Sequence, residues 1–480
     1  MSPKRKSSRL SITILWLIWA LLLASPAVAG SMKTAWVRYP TPEVVLGEPV
    51  NYWGCDVKAD SQGRVYTAGI CNDLADNDFM IYDSNGNLLT MGATYRTGLP
   101  SDGFLPRLTL DSQERLYFSG NVDTNTCFID KYEWVEYHYT DPPMDFVGLE
   151  RKWGIILAGA GGQSLGPIAV DGDGYVYAGV NNNLYKFHPE DGTSAGGPWP
   201  TGVNNVTGIA LDDQYVYITG GNFITEKYRQ DNGQLQWPRT LPPFIGGASM
   251  KSVALALDSQ GNVFVTGTED YWGGPNNIQA QIYTVKYSAA GVQQWVSEPR
   301  GARFRDYHNW AAGLVVDGQG NAYVTGTALD PNTYFRRIGF RHDNDFYTVK
   351  YAPDGTILWE RYFDGGSSND AATAIARDSA GNLVVTGTCK WWPVFPSLEP
   401  PTSNMAAISY TPDGQKKWVE YFTGPRGSTQ NEARALAVRS GNVYVSGSSN
   451  FKDYAEAPDS WHWVTIKYRP AGKKELIPRP

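Results

Sequence analysis

The chain has 480 residues, of which 42% are apolar and 19% are charged, and its formal net charge is −7. The apolar content is enough for a substantial core, and the 51 glycines, 29 tyrosines and 17 tryptophans are typical of a strand-rich protein with many tight turns. The acidic balance disfavours binding to nucleic acid phosphates or to an anionic membrane surface.

Residues 1–29 have the three parts of a secretory signal: four basic residues, an apolar stretch over Ile12–Ala24 and a small-x-small cleavage site at Ala27–Ala29. We expect export of residues 30–480 to the periplasm, the cell surface or the medium, without membrane insertion. An uncleaved anchor is the alternative, but the apolar stretch is shorter than the roughly 20 residues that span a bilayer. Removal of the signal leaves 37 basic and 48 acidic residues, a net charge of −11.

The four cysteines are Cys55, Cys71, Cys127 and Cys389, and none has metal-ligand spacing. An exported protein can form disulfides. Cys55 and Cys71 flank a predicted hairpin turn, so a bridge between them and a pair of buried thiols both remain open. Cys127 and Cys389 fall in different repeats and are expected to be core thiols.

A short motif recurs eight times along the chain. Four clear copies are Asp258–Gly267, Asp317–Gly326, Asp378–Gly387 and the shorter Gly441–Gly447, and weaker copies begin at Asp60, Asp111, Asp171 and Asp212. Each copy has a tight Asp-x-x-Gly-Asn turn followed by a strand rich in β-branched and aromatic residues. The motif therefore predicts a hairpin in every repeat.

A second hairpin follows in each repeat, as in Phe346–Tyr351, the turn Ala352–Gly355 and Thr356–Tyr362. Glycine is followed four residues later by tryptophan at Gly233/Trp237, Gly291/Trp295, Gly355/Trp359 and Gly414/Trp418. This constant spacing predicts that the tryptophan packs between neighbouring repeats.

Four strands per repeat, repeated around a ring, predict an all-β propeller of eight four-stranded blades. The last repeat lacks its tryptophan strand, and Trp36–Tyr39 at the other end of the mature chain matches Trp418–Tyr421. We therefore expect one propeller domain over residues 30–480, in which a strand at about 33–40 completes the last blade and hides an exposed sheet edge.

The unit at Asp317–Gly326 and its copy at Asp378–Gly387 resemble the bacterial "seven-bladed β-propeller" repeat, or SBBP repeat. The resemblance is strong over residues 250–470 and weaker over 50–250. It implies an exported or cell-surface bacterial protein and no particular set of catalytic residues. The family name implies seven blades, which is the alternative to the eight counted here.

The long, irregular segments nearly all fall between strands 2 and 3 or between blades, which places them at one end of the propeller. Aromatic faces next to polar groups suit sugar rings or protein anchors, and variable loops on a regular scaffold indicate a binding surface. The predicted binding residues are Trp272, Tyr307, His308, Trp310, Arg341, Asp343, Trp391, Trp392 and Tyr454. Packing of the loops on each other is the alternative role for these aromatics. One long connection, Tyr137–Gly148, is predicted at the opposite end.

No metal site is predicted. The five histidines are scattered and are expected on the surface or in loops. Calcium loops need more carboxylates in fixed order than Asp171-x-Asp173 or Asp343-x-Asp345 provides. Asp171 and Asp173 also fall in a predicted hairpin turn.

These observations favour an exported, non-enzymatic binding or scaffold protein that recognises a glycan or an extracellular protein, without a cofactor and as a monomer. The first alternative is a propeller-scaffold hydrolase or lyase acting on extracellular polysaccharide. Its acid and base residues would come from Asp270, Asp306, His308, Arg341 and Asp343. A quinone-dependent dehydrogenase is a further alternative, because the Gly-x-x-x-Trp spacing is similar to that of pyrroloquinoline-quinone enzymes, but the adjacent cysteine pair usual in that class is missing.

Overall fold

The computed structural model describes most of the chain after the predicted signal. The described residues are 32–39, 51–71, 76–94, 105–123, 126–140, 143–158, 165–272, 278–297, 307–329, 344–366, 368–391, 402–425, 428–451 and 460–470. Within these ranges the regular structure is entirely β-strand, so they contain no helix long and apolar enough to cross a membrane. The predicted signal, residues 1–29, lies outside the described residues and stays a prediction.

The strands form eight four-stranded antiparallel sheets. Blades 1 to 4 are β2–β5 (Tyr52–Ala59, Val65–Cys71, Asp76–Tyr82, Leu88–Thr94), β6–β9 (Arg107–Leu110, Leu116–Asp123, Thr126–Thr140, Pro143–Ala158), β10–β13 (Leu165–Val170, Val176–Val180, Asn183–Phe187, Ser194–Pro200) and β14–β17 (Gly208–Leu211, Tyr215–Gly220, Ile224–Arg229, Leu235–Thr240). Blades 5 to 8 are β18–β21 (Ser249–Leu257, Val263–Trp272, Ile278–Tyr287, Gln293–Val296), β23–β26 (Trp310–Val316, Ala322–Leu329, Asn344–Tyr351, Ile357–Phe363), β27–β30 (Ala371–Arg377, Leu383–Trp391, Thr402–Tyr410, Lys416–Phe422) and β31–β33 (Gln430–Arg439, Asn442–Phe451, Ser460–Pro470) with β1 (Met32–Arg38). A two-residue strand, β22 (Tyr307–His308), runs parallel to β20 in blade 5.

The eight sheets are the blades of a closed eight-bladed β-propeller. The first strand of every blade contacts the first strands of both neighbours, so these strands form the inner wall of a complete ring. In blade 8 the outer position is filled by β1, which pairs with β33 from Met32 opposite Pro470 to Arg38 opposite Thr465. The predicted count of eight blades and the closure by the N-terminal strand are both confirmed.

The aspartate of the repeated motif organises the turn between strands 1 and 2. In blade 6, Asp317 Oδ1 accepts the backbone N–H groups of Gln319 and Asn321 at 3.0 and 2.9 Å. Its Oδ2 accepts the amide of Asn321 at 2.8 Å and the hydroxyl of Tyr323 at 2.9 Å. Gly320 has φ 79°, the left-handed conformation that favours glycine. The same bonding at Asp171 confirms that this acidic residue serves a turn.

The Thr-Gly pair that ends the motif lies opposite a β-bulge in the innermost strand. In blade 7 the bulge falls between Ala372 and Ala374 and brings the carbonyl of Ala371 towards Gly387. A Cβ atom on Gly387 would lie 2.1 Å from that oxygen and 2.6 Å from the Phe346 ring of blade 6. Glycine is therefore required here by close approach.

One lysine and one tryptophan join each blade to the next at most interfaces. In blade 6, Lys350 Nζ and Trp359 Nε1 both donate to the carbonyl of Pro412 in blade 7, at 3.1 and 3.0 Å. At four further interfaces a lysine and a tryptophan likewise donate to a single carbonyl in a turn of the next blade. These sets are Lys131 and Trp153 with Pro189, Lys227 and Trp237 with Ala289, Lys286 and Trp295 with Pro353, and Lys467 and Trp36 with Ser84. A Cβ on Gly414, in the accepting turn of blade 7, would lie 2.7 Å from the Trp359 ring. The predicted packing of tryptophan between neighbouring repeats is confirmed.

The possible bridge between Cys55 and Cys71 is not formed. Cys55 is a free thiol at the β2 bulge, whereas Cys71 lies opposite Tyr52, three residues away along the strand. This register separates the two Cα atoms by more than the roughly 7 Å that a disulfide can span. Cys127 and Cys389 are buried free thiols, as predicted.

The segment Tyr137–Gly148, predicted as a long connection, is largely a continuation of two strands. β8 and β9 remain paired out to Thr140 and Pro143. At the base of this hairpin, Trp134 Nε1 donates to the Tyr66 hydroxyl at 2.9 Å. The hairpin is thereby attached to blade 1 rather than only to its own blade.

Candidate functional site

The two ends of the propeller differ in their connections. We call the end with the 2–3 loops and the blade-to-blade connections the long-loop end, and the opposite end the short-turn end. Among residues whose side chains are described, four aromatic side chains are highly exposed: Phe244 at 56%, Trp310 and Trp391 at 41%, and Tyr421 at 42%. All four lie at the long-loop end, because Phe244 is in the connection between blades 4 and 5 and the other three are at strand ends of blades 6 and 7. The exposed aromatic surface is thus concentrated at one end.

The predicted binding residues are only partly within the described residues. Trp310 begins β23 and Trp391 ends β28, and both side chains are exposed. Trp272, Tyr307 and His308 lie on strands at the long-loop end, but the structure describes only their backbone. The other four predicted binding residues, Arg341, Asp343, Trp392 and Tyr454, lie outside the described residues. Of the predicted catalytic candidates, Asp306, Arg341 and Asp343 also lie outside the described residues, whereas Asp270 is half-buried on β19.

Tyr421 lies near a group of acidic residues at the boundary between blades 6 and 7, and Trp391 follows Lys390, whose N–H donates to one of them. One oxygen each of Asp345, Asp364 and Asp370 lie within 4.8 Å of one another, and Asp345 and Asp370 are buried while Asp364 is exposed. The pKa of the Tyr421 hydroxyl is raised to about 12, mainly because the side chain is partly buried, and the neighbouring acidic groups Cys389, Asp370 and Asp364 contribute to this shift. We call Asp345, Asp364, Asp370, Trp391 and Tyr421 the blade 6–7 site.

The carboxyl group of Asp370 is fully buried and fixes the local backbone. Its Oδ2 accepts the N–H of Gly365 at 2.6 Å, and its Oδ1 accepts the N–H of Lys390, next to Trp391, at 2.9 Å. The Asp370 N–H donates to the carbonyl of Asn344 at the start of β25, at 2.6 Å. One side chain and its own backbone therefore join blade 6, the connection and blade 7.

Two glycines allow the connection to approach β28. A Cβ on Gly365 would lie 2.3 Å from Cys389 Sγ, and a Cβ on Gly366 would lie 2.3 Å from the Lys390 carbonyl oxygen. Larger residues would separate the connection from the strand that carries Trp391.

The surroundings of Asp370 favour the protonated form of its carboxyl group. Its pKa is raised to about 7 because burial and the charge of Asp364 outweigh the lowering effect of hydrogen bonds from the Lys390 and Gly365 N–H groups and from the Cys389 thiol. Burial also raises the pKa of the Cys389 thiol, and the charge of Asp370 adds to this effect. Because both oxygens of Asp370 already accept backbone donors, we interpret the three carboxylates as interacting acids rather than a cation site.

Sequence reasoning missed several residues of this end. Tyr421 matches Tyr362 and Tyr39 in the repeat and therefore looked structural, and Phe244 lies in a short connection. Asp364 and Asp370 flank Gly365 and Gly366, and a glycine pair just after a strand could have signalled a close approach.

Two further sequence features have structural outcomes. His462 is not on the surface as expected: it is 2% exposed, stacks on Phe451 at 3.8 Å and has Nε2 2.9 Å from Ser460 Oγ. Sequence reasoning also missed a Gly-x-Ser-x-Gly pattern at residues 162–166, the last two residues of which begin β10. It does not lead into a helix, as the nucleophile turn of hydrolases requires.

Comparisons with known proteins do not assign this chain to a family. No family model matches the sequence, so the SBBP resemblance stays an expectation, and no curated protein matches either. Among solved structures, BamB from Moraxella catarrhalis is 11% identical, with a TM-score of 0.48 over 91% of this chain and 99% of BamB. The designed protein Ika8 is 12% identical (TM-score 0.46, 89% of this chain and 98% of that one). A quinohemoprotein alcohol dehydrogenase, ADHIIG from Pseudomonas putida HK5, is 12% identical (TM-score 0.47, 94% and 78%). These values are too low to inform the function of this chain.

Proposed function

We propose that this protein is an exported, non-enzymatic binding protein that recognises a glycan at the long-loop end of its propeller. The observation that carries this proposal is the location of all four highly exposed aromatic side chains, among those described, at that end. Large aromatic side chains left in water on a rigid scaffold are typical of binding surfaces. Export rests on the predicted signal at residues 1–29.

The blade 6–7 site has the chemistry that a sugar ring requires. The exposed rings of Trp391 and Tyr421 offer flat apolar surfaces, and the exposed Asp364 carboxylate can accept hydrogen bonds from hydroxyl groups. The indole Nε1 of Trp391 lies 3.2 Å from the amide oxygen of Asn404 when that amide is oriented to accept it. The nearby carboxylates, and the net charge of −11 expected for the chain without residues 1–29, favour a neutral glycan over an acidic one.

The experiment is glycan-array binding, followed by titration calorimetry, with the purified chain lacking residues 1–29. We expect selective binding to a neutral glycan, and at least tenfold weaker binding by Trp391→Ala and by Tyr421→Ala, a loss of about 1.4 kcal/mol. The matched control is Val292→Ala, because Val292 is 61% exposed at the short-turn end. Unchanged melting temperatures of the variants would separate lost binding from lost folding. If no glycan bound, the proposal would be wrong and an extracellular protein would become the expected partner.

A polysaccharide hydrolase is the second candidate, favoured by one observation. Asp370 and Asp364 are neighbouring carboxyl groups in different environments, one buried with a pKa of about 7 and one exposed, as in acid–base pairs. However, Asp370 is fully buried and both of its oxygens accept backbone N–H groups. We therefore favour binding. Release of reducing ends from a bound polysaccharide, abolished by Asp364→Asn, would support the hydrolase instead.

A further inference from the structure

The exposed aromatic side chains at the long-loop end follow one arc of the ring. Phe244 lies in the connection between blades 4 and 5, Trp310 begins β23 just after the connection between blades 5 and 6, and Trp391 ends β28 in blade 7. Tyr421 of blade 7 contacts Phe363 of blade 6, with ring centroids 6.4 Å apart. The four exposed rings therefore follow three consecutive blade interfaces, and no described side chain of blades 8, 1, 2 and 3 adds a highly exposed aromatic ring.

Phe244 is held in a fixed orientation although its ring is exposed. The ring stacks on Tyr283 of β20, with centroids 4.5 Å apart and planes inclined by 11°. The next residue, Ile245, donates its N–H to Glu269 Oε1 at 2.7 Å, and Glu269 is fully buried on β19. One side of the Phe244 ring is thus covered by Tyr283, while 56% of the side chain remains exposed. A ring fixed in this way loses little conformational entropy when a ligand stacks on it.

The face of β19 that points to blade 6 carries a carboxylate next to Trp310. Thr268 Oγ1 accepts the Ala311 N–H of blade 6 at 3.1 Å, so this face of the strand is turned towards blade 6. Residues alternate between the two faces of a strand, which places the half-buried Asp270 on the same face as Thr268. A carboxylate near an exposed indole can accept hydrogen bonds from sugar hydroxyl groups while the indole covers the sugar ring.

The opposite face of β19 adds a second aromatic ring next to Phe244. Tyr271 is half-buried there, and a Cβ on Gly247, three residues after Phe244, would lie 3.9 Å from its ring. Gln281 on β20 is half-buried on the same face, and its side-chain oxygen accepts the Tyr283 hydroxyl at 3.3 Å. Aromatic rings and an amide group therefore lie together at the connection between blades 4 and 5. We call Phe244, Tyr271 and Gln281 the blade 4–5 site.

We propose that the protein binds a polymeric neutral glycan, whose chain follows this arc and stacks sugar rings at the blade 4–5 site as well as at the blade 6–7 site. The inference rests on the proposed function and specifies its ligand class, because one sugar ring covers one aromatic platform whereas a chain covers several. Contacts at separate sites on one ligand reinforce each other, since the second contact forms within the complex that the first has made. Affinity therefore increases with chain length until both sites are occupied.

The test is titration calorimetry of the purified chain lacking residues 1–29. The probes are the neutral glycans that bind on the array, prepared as oligosaccharide ladders of about two to about eight sugar units. We expect the longest oligosaccharide to bind at least tenfold more tightly than the disaccharide. Phe244→Ala should remove this gain, whereas Phe244→Tyr keeps the flat ring and should retain it. The matched control is Val292→Ala at the short-turn end, which should retain the gain as well.

The outcomes separate this inference from the proposed function. Affinity that does not change with chain length, a length gain that survives in Phe244→Ala, or binding confined to glycans that form no chains would overturn the inference and leave the proposed function in place. The first of these is read from the parent chain, so it decides the matter even if a variant fails to fold. Binding to no glycan at all would refute the proposed function and the inference together.

Discussion

The side-chain amine of Lys467 in blade 8 donates a 2.8 Å hydrogen bond to the backbone carbonyl of Ser84 in blade 1. Trp36 Nε1, on the N-terminal strand of blade 8, donates to the same oxygen at 3.2 Å. Together they repeat at the closure of the ring the contact that Lys350 and Trp359 make with Pro412 between two internal blades. The closure is therefore chemically equivalent to the internal interfaces that carry this lysine–tryptophan pair.

This equivalence predicts equal costs for removing either lysine. Replacing the buried Lys467 or Lys350 by methionine keeps the apolar stem and removes a charged hydrogen bond, which we expect to lower the free energy of unfolding by about 2 kcal/mol in each case. Urea denaturation measures both. The control is Lys416→Met, on the exposed start of β30, with an expected change below about 0.5 kcal/mol. A loss confined to Lys350→Met would show that the closure does not contribute as the internal interfaces do.

A second prediction concerns the glycine that ends the repeated motif. Gly387→Ala would place a Cβ 2.1 Å from the Ala371 carbonyl oxygen, so the strands must separate, and we expect a loss of about 3 kcal/mol. Gly318→Ala is the matched control, because no atom lies within 4 Å of its added Cβ. Thermal unfolding of the two variants should differ clearly. Similar melting temperatures would contradict the view that close approach at the bulge selects glycine.

Much of the fold could be predicted because each repeat is a local unit. The turn at Asp317, the Thr-Gly strand and the Gly-x-x-x-Trp spacing all act within about 60 residues, and their repetition gives the blade count directly. The absence of the lysine–tryptophan pair between blades 7 and 8 also has a local reason. Blade 7 has Ser409 at the lysine position, and in blade 8 the third and fourth strands, β33 and β1, are not joined by a turn that could accept the bonds.

The candidate site could be predicted only in part, because it depends on how neighbouring blades meet. Trp310 and Trp391 were identified as loop aromatics, but the approach of Asp345, Asp364 and Asp370 is set by the angle between blades 6 and 7. No spacing in the sequence encodes that angle. A different limit applies to His462, whose burial comes from within its own blade: the ring is covered by Phe451 of the neighbouring strand.

A third prediction concerns acid stability. Burial raises the pKa of Asp317, but hydrogen bonds from Asn321 and Tyr323 outweigh it and hold the pKa below its usual value of about 4. A lowered pKa means that the ionised form is stabilised by folding, so its contribution is present above about pH 4 and is lost as the pH falls through the folded value. We expect Asp317→Asn to be less stable by about 1–2 kcal/mol at pH 7 and the difference from the parent chain to be smaller at pH 3. Denaturation at both pH values tests this, with Asp173→Asn as the exposed-turn control. An equal difference at both pH values would contradict it.

The last prediction concerns the cysteines. Cys55 is a free thiol, burial raises its pKa to about 12, and Cys127 and Cys389 are buried. A thiol that stays protonated at pH 8 reacts slowly even where it is partly exposed, as Cys55 is, so a thiol reagent should modify these three residues appreciably only after unfolding. In guanidinium without reductant we expect four reactive thiols per chain, and dithiothreitol should leave the melting temperature unchanged. Two reactive thiols, with a melting temperature lowered by dithiothreitol, would demonstrate a bridge. If that bridge joined Cys55 to Cys71, β2 and β3 would have to pair in a register different from the one that places Cys71 opposite Tyr52.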